Sequence, residues 1–212
     1  MKLIMRAGDA IKTSSEDPVN FYFTPFLGYF YRKRLSLSLA CIENMKTGRI
    51  LEAGYGSGIF MPELSRHCDA LFGIDTHPHN GEVSEKLKGY VQNVTLLEAS
   101  IYKIPFPDNY FDAVVAVSIL EHLKDLDNAV CELKRVLKPG GMIIAGAPVK
   151  NKFMDTVFSS VLKFNSDEHH PNGHRKIAGS LKKHFEIEYS AHFPGALPVD
   201  WGMYFVTKAK KI

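Results

Sequence analysis

Three glycines at alternate positions, Gly54, Gly56 and Gly58, follow the apolar pair Ile50-Leu51 and the acid Glu52. Glycine frees the backbone for a tight turn and for close approach to a ligand, so the run reads as a ligand loop at the end of a buried strand. A helix expected over 60–67 would aim its N-terminal N–H groups at whatever lies on that loop. In the dinucleotide fingerprint G-x-G-x-x-G the third glycine comes one residue later, where this chain has Ile59. A nicotinamide or flavin cofactor is therefore disfavoured, and the run fits E/D-x-G-x-G-x-G. The second chemical residue is Asp75, which ends Leu71-Phe72-Gly73-Ile74-Asp75, 21 residues after Gly54. That is close to the ~20 at which an acid on the next strand reaches ribose hydroxyls. A carboxylate accepts both hydrogens of a diol, and its charge favours a cationic ligand.

Histidines supply the candidates for proton transfer. His122, beside Glu121, follows an apolar strand and is the first candidate base; a histidine there also occurs as a feature of the fold with no catalytic part. Asp167-Glu168-His169-His170-Pro171-Asn172-Gly173-His174 is the other cluster. His169, His170 and His174 read as acceptor contacts or as members of a solvated loop. Their spacing matches no rigid metal template, so no metal is expected.

Several elements must position these groups. Strand-like runs occur at 49–53, 70–75, 94–98, 111–117 and 142–147, with helical stretches between most of them, notably 127–137. Such alternation implies a doubly wound α/β sheet, mostly parallel, with helices on both faces and the ligand at the carboxyl ends of the strands. Leu137-Lys138-Pro139-Gly140-Gly141 is expected to turn the last of these helices into a strand. Two further strands, 185–193 and 203–208, have only a Pro/Gly-rich link between them, which makes the last strand antiparallel. Residues 1–45 stand apart as an aromatic-rich helical cap or lid ahead of the main domain, 46–212. Seven aromatic residues fall between Phe21 and Tyr31, followed by Arg32-Lys33-Arg34 and a helical-looking stretch over 35–45. Two readings of the aromatics stand: they pack this segment onto the domain, or they form a lid or apolar substrate wall with the basic triplet on an anionic head group.

Composition bounds the function. At 212 residues and 45% hydrophobic content the chain can bury one full core. A net charge of +3 with scattered basic residues is a poor nucleic-acid footprint. Cys41, Cys68 and Cys131 are isolated, which suggests neither a disulfide framework nor a zinc site. No apolar run approaches the ~18 residues of a membrane span and no leader pattern opens the chain, so a cytoplasmic setting is expected, with peripheral membrane contact left open.

Taken together, Leu51-Glu52-Ala53-Gly54-Tyr55-Gly56-Ser57-Gly58, Gly73-Ile74-Asp75, Ile104-Pro105-Phe106, Phe111-Asp112-Ala113-Val114, Leu120-Glu121-His122 and Leu137-Lys138-Pro139-Gly140-Gly141 make the chain resemble the class I S-adenosylmethionine-dependent methyltransferases. More narrowly it is similar to the ubiquinone/menaquinone-biosynthesis C-methyltransferase (methyltransferase type 11) group, over residues 46–147 above all. The resemblance implies a Rossmann-like fold, S-adenosylmethionine as cofactor and S-adenosylhomocysteine as product. It implies that Gly54, Gly56 and Gly58 pass under the methionine part, with Glu52 holding the loop. Asp75 would accept the ribose hydroxyls, with Thr76 and His77 beside the ring. Ser100 and Ile101 would lie near adenine and Ser118 under the cofactor. Tyr55, expected with the glycines among the cofactor-binding residues, and Ser100 depart from the family pattern, which has a small residue or cysteine at the first and an acid at the second. The sequence lacks the Asn/Asp-Pro-Pro-Tyr/Phe of amino methylation after the fourth strand, so a small or lipophilic acceptor is expected. The alternatives are a non-catalytic protein that binds the cofactor or a partner, and an RNA or protein methyltransferase. Oligomeric state is not read from the sequence.

Overall fold

The structure is a computed structural model that describes residues 2–15, 17–43, 47–151 and 171–212. Its frame is a seven-stranded sheet: β1 (Thr47–Ala53), β2 (Cys68–Asp75), β3 (Val94–Glu98), β4 (Phe111–Val117), β5 (Leu137–Pro148), β6 (Phe185–Phe193) and β7 (Tyr204–Lys211). The spatial order is β3-β2-β1-β4-β5-β7-β6. β1 through β5 pair in parallel, and β7 runs antiparallel between β5 and β6. The expected fold class is the one found. Chain order reverses between β1 and β4, and such a switch point opens a crevice at the strand ends where ligands bind.

The central strands are covered on both faces, which is why β4 reads Phe-Asp-Ala-Val-Val-Ala-Val with almost no alternation. Successive residues still face opposite cores. Leu51, Val114 and Ile143 enter one apolar layer, and Ile50, Val115 and Ile144 enter the other. Each such side chain, fully buried, contributes roughly 1.5–3 kcal/mol. The first layer is closed by α4 (Leu126–Val136) and α5 (His174–His184). α4 begins where the Asp125 side chain accepts from Asn128 N at 3.2 Å, and it buries Leu126, Ala129, Val130, Leu133 and Val136 at helical spacing. Truncating Leu133 to Ala in that stripe costs about 2–5 kcal/mol. The opposite layer is closed by α1 (Leu27–Ala40), α2 (Met61–Leu64) and α3 (Asn80–Leu87).

Several motifs of the sequence are explained by this frame. Asp112 accepts from Arg49 N at 2.7 Å and pairs with Lys138, so it ties β1 to the start of β5. Arg135 on α4 donates to the carbonyls of Ile104 and Phe106 and to Glu132, holding the Ile104-Pro105-Phe106 loop against the helix. Asp112 therefore works at the amino end of β4, opposite the carboxyl ends where ligands bind.

Three local expectations differ. The helix after the glycine loop is a four-residue α2 followed by a 3-10 turn, Ser65–His67, so it presents no developed helix dipole to the loop. Strand β5 begins at Leu137, directly after α4. Between the pairs Phe111↔Leu137 and Ala113↔Met142, β4 advances two residues and β5 five, so the Pro139-Gly140-Gly141 stretch loops out inside the strand. Gly140, at φ +73°, makes that possible. Finally, α1 starts at Leu27 rather than 35 and takes Tyr29, Phe30 and Tyr31 into the helix. Tyr31 packs on Phe21 and Tyr22 of a 3-10 turn, Val19–Phe23, Tyr29 and Phe30 pack on Phe193 of β6, and the helix buries Gly28, Leu35 and Ser38 where it lies against β5, β6 and β7.

Candidate functional site

The loop after β1 has the geometry its glycines suggest. Gly54, Gly56 and Gly58 all have positive φ, +76°, +51° and +71°. Gly54 N donates to Ile74 O at 2.8 Å, and Gly58 N to Tyr55 O at 2.8 Å, closing the turn. A Cβ on Gly56 would meet nothing within 4 Å, whereas one on Gly58 would strike Val83 and Leu87 of α3. The middle glycine thus faces open space and the last permits close packing of α3.

Asp75 lies against this loop. Its Oδ2 accepts from Gly56 N at 2.9 Å and its Oδ1 from Thr76 N at 2.7 Å and His77 N at 3.4 Å. His77 clasps the loop from the other side. Its Nε2 lies 2.9 Å from Gly56 O, while His79 N donates to its Nδ1 at 3.2 Å. Because Nδ1 accepts, the bond to Gly56 O assigns the neutral Nε2–H tautomer. Thr76 is exposed beside the acid.

Tyr55, the first departure from the family pattern, is a packing residue in this fold. It is 3% exposed, its ring lies edge-on to His77 at 4.9 Å, and its Cδ1 occupies the space where a side chain on Gly73 would be. A ring this large fits under the loop because β2 has glycine opposite it. Its hydroxyl has no partner, and burial, with Asp75 nearby, pushes the phenol well above its usual range. Beneath it Glu52, 4% exposed, leaves Oε2 unpaired. Burial, then the charges of Asp75 and Glu63, push its carboxyl well above the carboxylate range. Glu63 accepts from Ile4 N at 2.8 Å and is pushed up to about 7 by burial.

Ser100 and Ile101 follow β3, and Ala99 N bonds Asp75 O at 2.8 Å, so they stand next to the acid. The Ser100 hydroxyl accepts from Tyr102 N at 3.2 Å and Ile101 is buried. Across the crevice, Ser118 ends β4 in a left-handed conformation, φ +56°. Ile119 then packs where a Gly54 Cβ would lie, which joins the β4 turn to the glycine loop. Ser118 Oγ lies 3.0 Å from Tyr204 Oη and accepts from Arg34 Nη1 at 3.1 Å.

The proton-transfer candidates separate. His122 closes a 3-10 turn, Leu120–His122, with Nε2 4.0 Å from Glu121 Oε1. Glu121 is buried, and burial raises its carboxyl while His122 and Arg34 oppose the rise. Asn172 holds this turn. Its side chain donates to Leu120 O and Leu123 O, and its backbone N to Glu121 O. His174 is buried at the start of α5, with Nε2 3.1 Å from Asp200 Oδ1 and its ring edge-on to Phe205. Its partner thus comes from the β6–β7 connection. His169 and His170 lie outside the described residues. Among the described residues no group of three His, Cys, Asp or Glu could hold a metal ion.

Arg34, Tyr204 and Asn172 were not singled out by the sequence as site residues. Arg32-Lys33-Arg34 looks like one basic patch, but successive helical residues point ~100° apart. Arg32 turns to Tyr22 O, Lys33 lies over the Phe193 ring and Arg34 turns inward to Ser118.

The model of a methyltransferase domain matches residues 51–145. The ubiquinone/menaquinone biosynthesis C-methyltransferase UbiE of Serratia proteamaculans is 31% identical over 182 residues, covering 79% of this chain and 72% of that protein. Sterol 4-C-methyltransferase strm-1 of Caenorhabditis elegans is 31% identical over 146 residues, covering 64% and 43%. For several other curated relatives the chain spans about half their length, 39% to 61%. Among solved structures, N-methyltransferase NodS of Bradyrhizobium japonicum in complex with S-adenosylhomocysteine superposes with a TM-score of 0.70 at 20% identity, covering 94% of each chain. That likeness is one of fold. The chain belongs to the class I S-adenosylmethionine-dependent methyltransferases, in the group that includes the ubiquinone/menaquinone-biosynthesis C-methyltransferases.

The residues fit that family's cofactor, S-adenosylmethionine. The open space over Gly56 and the Asp75 carboxylate at the end of β2 suit a nucleoside carrying positive charge, and the buried Oε2 of Glu52 below the loop is an acceptor left without a partner.

Proposed function

We propose that this chain transfers a methyl group from S-adenosylmethionine to a small, lipophilic acceptor. The observation that carries this reading is the Gly54–Gly58 loop, open over Gly56 and bonded to Asp75, at the β1/β4 switch point. The cofactor supplies a methyl group already activated on a sulfonium, so the protein's task is binding, alignment and exclusion of water. Gly54, Gly56 and Gly58 present backbone to the cofactor, Asp75 and Thr76 take the ribose, Ser100 and Ile101 border the adenine, and Ser118 closes the methionine end. Glu52 and Tyr55 hold the loop from below. His122, beside Glu121 at the end of β4, is the candidate base for an acceptor that must lose a proton.

Residues 1–45 act as a cap in this reading. Phe30 of α1 packs on Phe193 with centroids 6.1 Å apart, and Tyr29 on the same ring at 6.0 Å. Phe26 is 77% exposed, Tyr29 53% and Trp201 72%, so α1 and the β6–β7 connection present an aromatic surface suited to a lipophilic acceptor or its membrane source. The quinone and sterol methyltransferases among the relatives agree with that class. Among the described residues no helix is long and apolar enough to cross a membrane. The three cysteines are free, which fits a cytoplasmic setting.

Calorimetric titration with S-adenosylmethionine and S-adenosylhomocysteine tests the cofactor assignment, with NADH as control. Both sulfur ligands should bind, and Asp75→Ala should weaken them roughly tenfold or more, since a charge-assisted bond is lost. Binding without methylation of any lipophilic acceptor in a cell extract would favour a non-catalytic protein. Salt-sensitive RNA binding would favour an RNA methyltransferase.

A further inference from the structure

The arginines of the described residues differ in what they face. Arg135 pairs with Glu132 and Asp108, and Arg175 with Asp200. Arg34 is half-buried and its partners are all neutral. Nε and Nη2 donate to the Tyr22 hydroxyl, and Nη1 to Ser118 Oγ. The guanidinium stands over the rings of Tyr31 at 4.7 Å and Tyr22 at 5.1 Å. Among the described residues no carboxylate lies within ion-pair distance of it. A guanidinium carries five N–H donors, and these bonds use three.

Its position matters as much as its missing counter-charge. Ser118 closes β4, and Ile119 beside it packs on Gly54, so Arg34 reaches the same end of the crevice as the glycine loop. Tyr204, whose ring lies on Gly146 of β5, completes the wall through Ser118 Oγ. The buried Glu121 carboxyl feels the Arg34 charge without pairing with it among the described residues, and burial favours its neutral form. A permanently charged group withdrawn from water among phenols and a hydroxyl is costly until an anion arrives.

We propose that Arg34, held by Tyr22 and Ser118, forms an oxyanion-binding site at the β4 end of the crevice. The ligand is a carboxylate or an ionised ring hydroxyl, and two molecules can bring it: the amino-acid end of the cofactor, or the acceptor itself. A guanidinium suits a planar oxyanion because it offers directed donors at fixed charge. The site deepens the methyltransferase reading and rests on it only for which molecule brings the anion.

The test compares S-adenosylhomocysteine with its decarboxylated analogue, S-adenosyl-3-thiopropylamine, by calorimetry on wild type, Arg34→Met and Arg34→Lys. The same proteins are titrated with 4-nitrophenol, whose ionised form is read by its visible absorbance. If the anion is the cofactor's carboxylate, wild type prefers the homocysteine compound by roughly tenfold or more, Arg34→Met erases that preference and Arg34→Lys keeps part of it. If it is the acceptor's, the preference is the same in all three proteins, and wild type binds 4-nitrophenolate while Arg34→Met does not. A purely structural Arg34, anchoring α1, would lower both adenosyl affinities together and leave their ratio and nitrophenolate binding unchanged. That result overturns the proposal. Should wild type bind neither adenosyl compound, the cofactor reading fails, and the nitrophenolate titration still decides the oxyanion site.

Discussion

Gly56→Ala and Gly58→Ala should fail in different ways, although the two glycines are two residues apart and share a left-handed backbone. At Gly58 the added Cβ would sit 2.9 Å from Val83 Cγ1 and 3.2 Å from Leu87 Cδ1, both fully buried. Left-handed strain of about 1–2 kcal/mol and overpacking of about 1–3 kcal/mol give a loss of roughly 2–5 kcal/mol. For a chain of this size that is a fall in Tm of roughly 4–20 °C. At Gly56 the Cβ meets nothing, so only the strain remains, about 1–2 kcal/mol, or roughly 2–8 °C. The methyl group would instead project into the space assigned to the cofactor. Gly56→Ala should therefore lose affinity for S-adenosylhomocysteine by tenfold or more, about 1.4 kcal/mol, with the smaller change in melting. Thermal melts without ligand, followed by calorimetry below the melting range, separate the two effects. If Gly56→Ala binds as wild type does, the open side of the loop is not where the ligand lies.

Two further outcomes follow from buried polar groups. The Glu63 carboxyl is pushed up to about 7 by burial, above its ordinary 4.5, so the folded state prefers the protonated form. Its contribution is fully present below about pH 4.5 and is lost as pH rises through about 7, a change of about 3 kcal/mol. Glu63→Gln should accordingly be more stable than wild type at pH 8 but not at pH 4.5 in urea denaturation; an equal gap at both pH values refutes the assignment. Asn172→Ala removes the donors to Leu120 O and Leu123 O, which bracket the Glu121-His122 turn, and should cost about 1–3 kcal/mol. If that turn carries the base, its pH–rate profile moves as well, whereas an unchanged profile with lowered stability would leave Asn172 a purely structural residue.

How much of this was legible in the chain itself follows from the range of each interaction. Gly54, Gly56, Gly58 and Asp75 could be placed because a strand, a turn and the next strand set their spacing locally, and the parallel pairing of β1 with β2 carries Asp75 to the loop. The alternation of strands and helices was legible for the same reason, since buried parallel strands leave long apolar runs between helical stretches, whereas the spatial order of the strands came from the fold. Helix lengths were not: α2 stops after four residues, and α1 begins within the aromatic segment because its rings have the domain to pack on.

Partnerships across the fold were decided only by tertiary structure. Tyr55 looks like a flaw in the glycine motif until β2 is seen to offer Gly73 beneath its ring. His174 gives no hint in the sequence of its partner, and the β6–β7 connection brings Asp200 to it. Arg34 looks like one third of a surface patch, and helix rotation with the packing of α1 on β5 and β7 turns it toward Ser118, 84 residues away. Sequence spacing determines which face of its own element a residue occupies. What that face meets depends on the order of strands and the rotation of helices, which only the packed core sets.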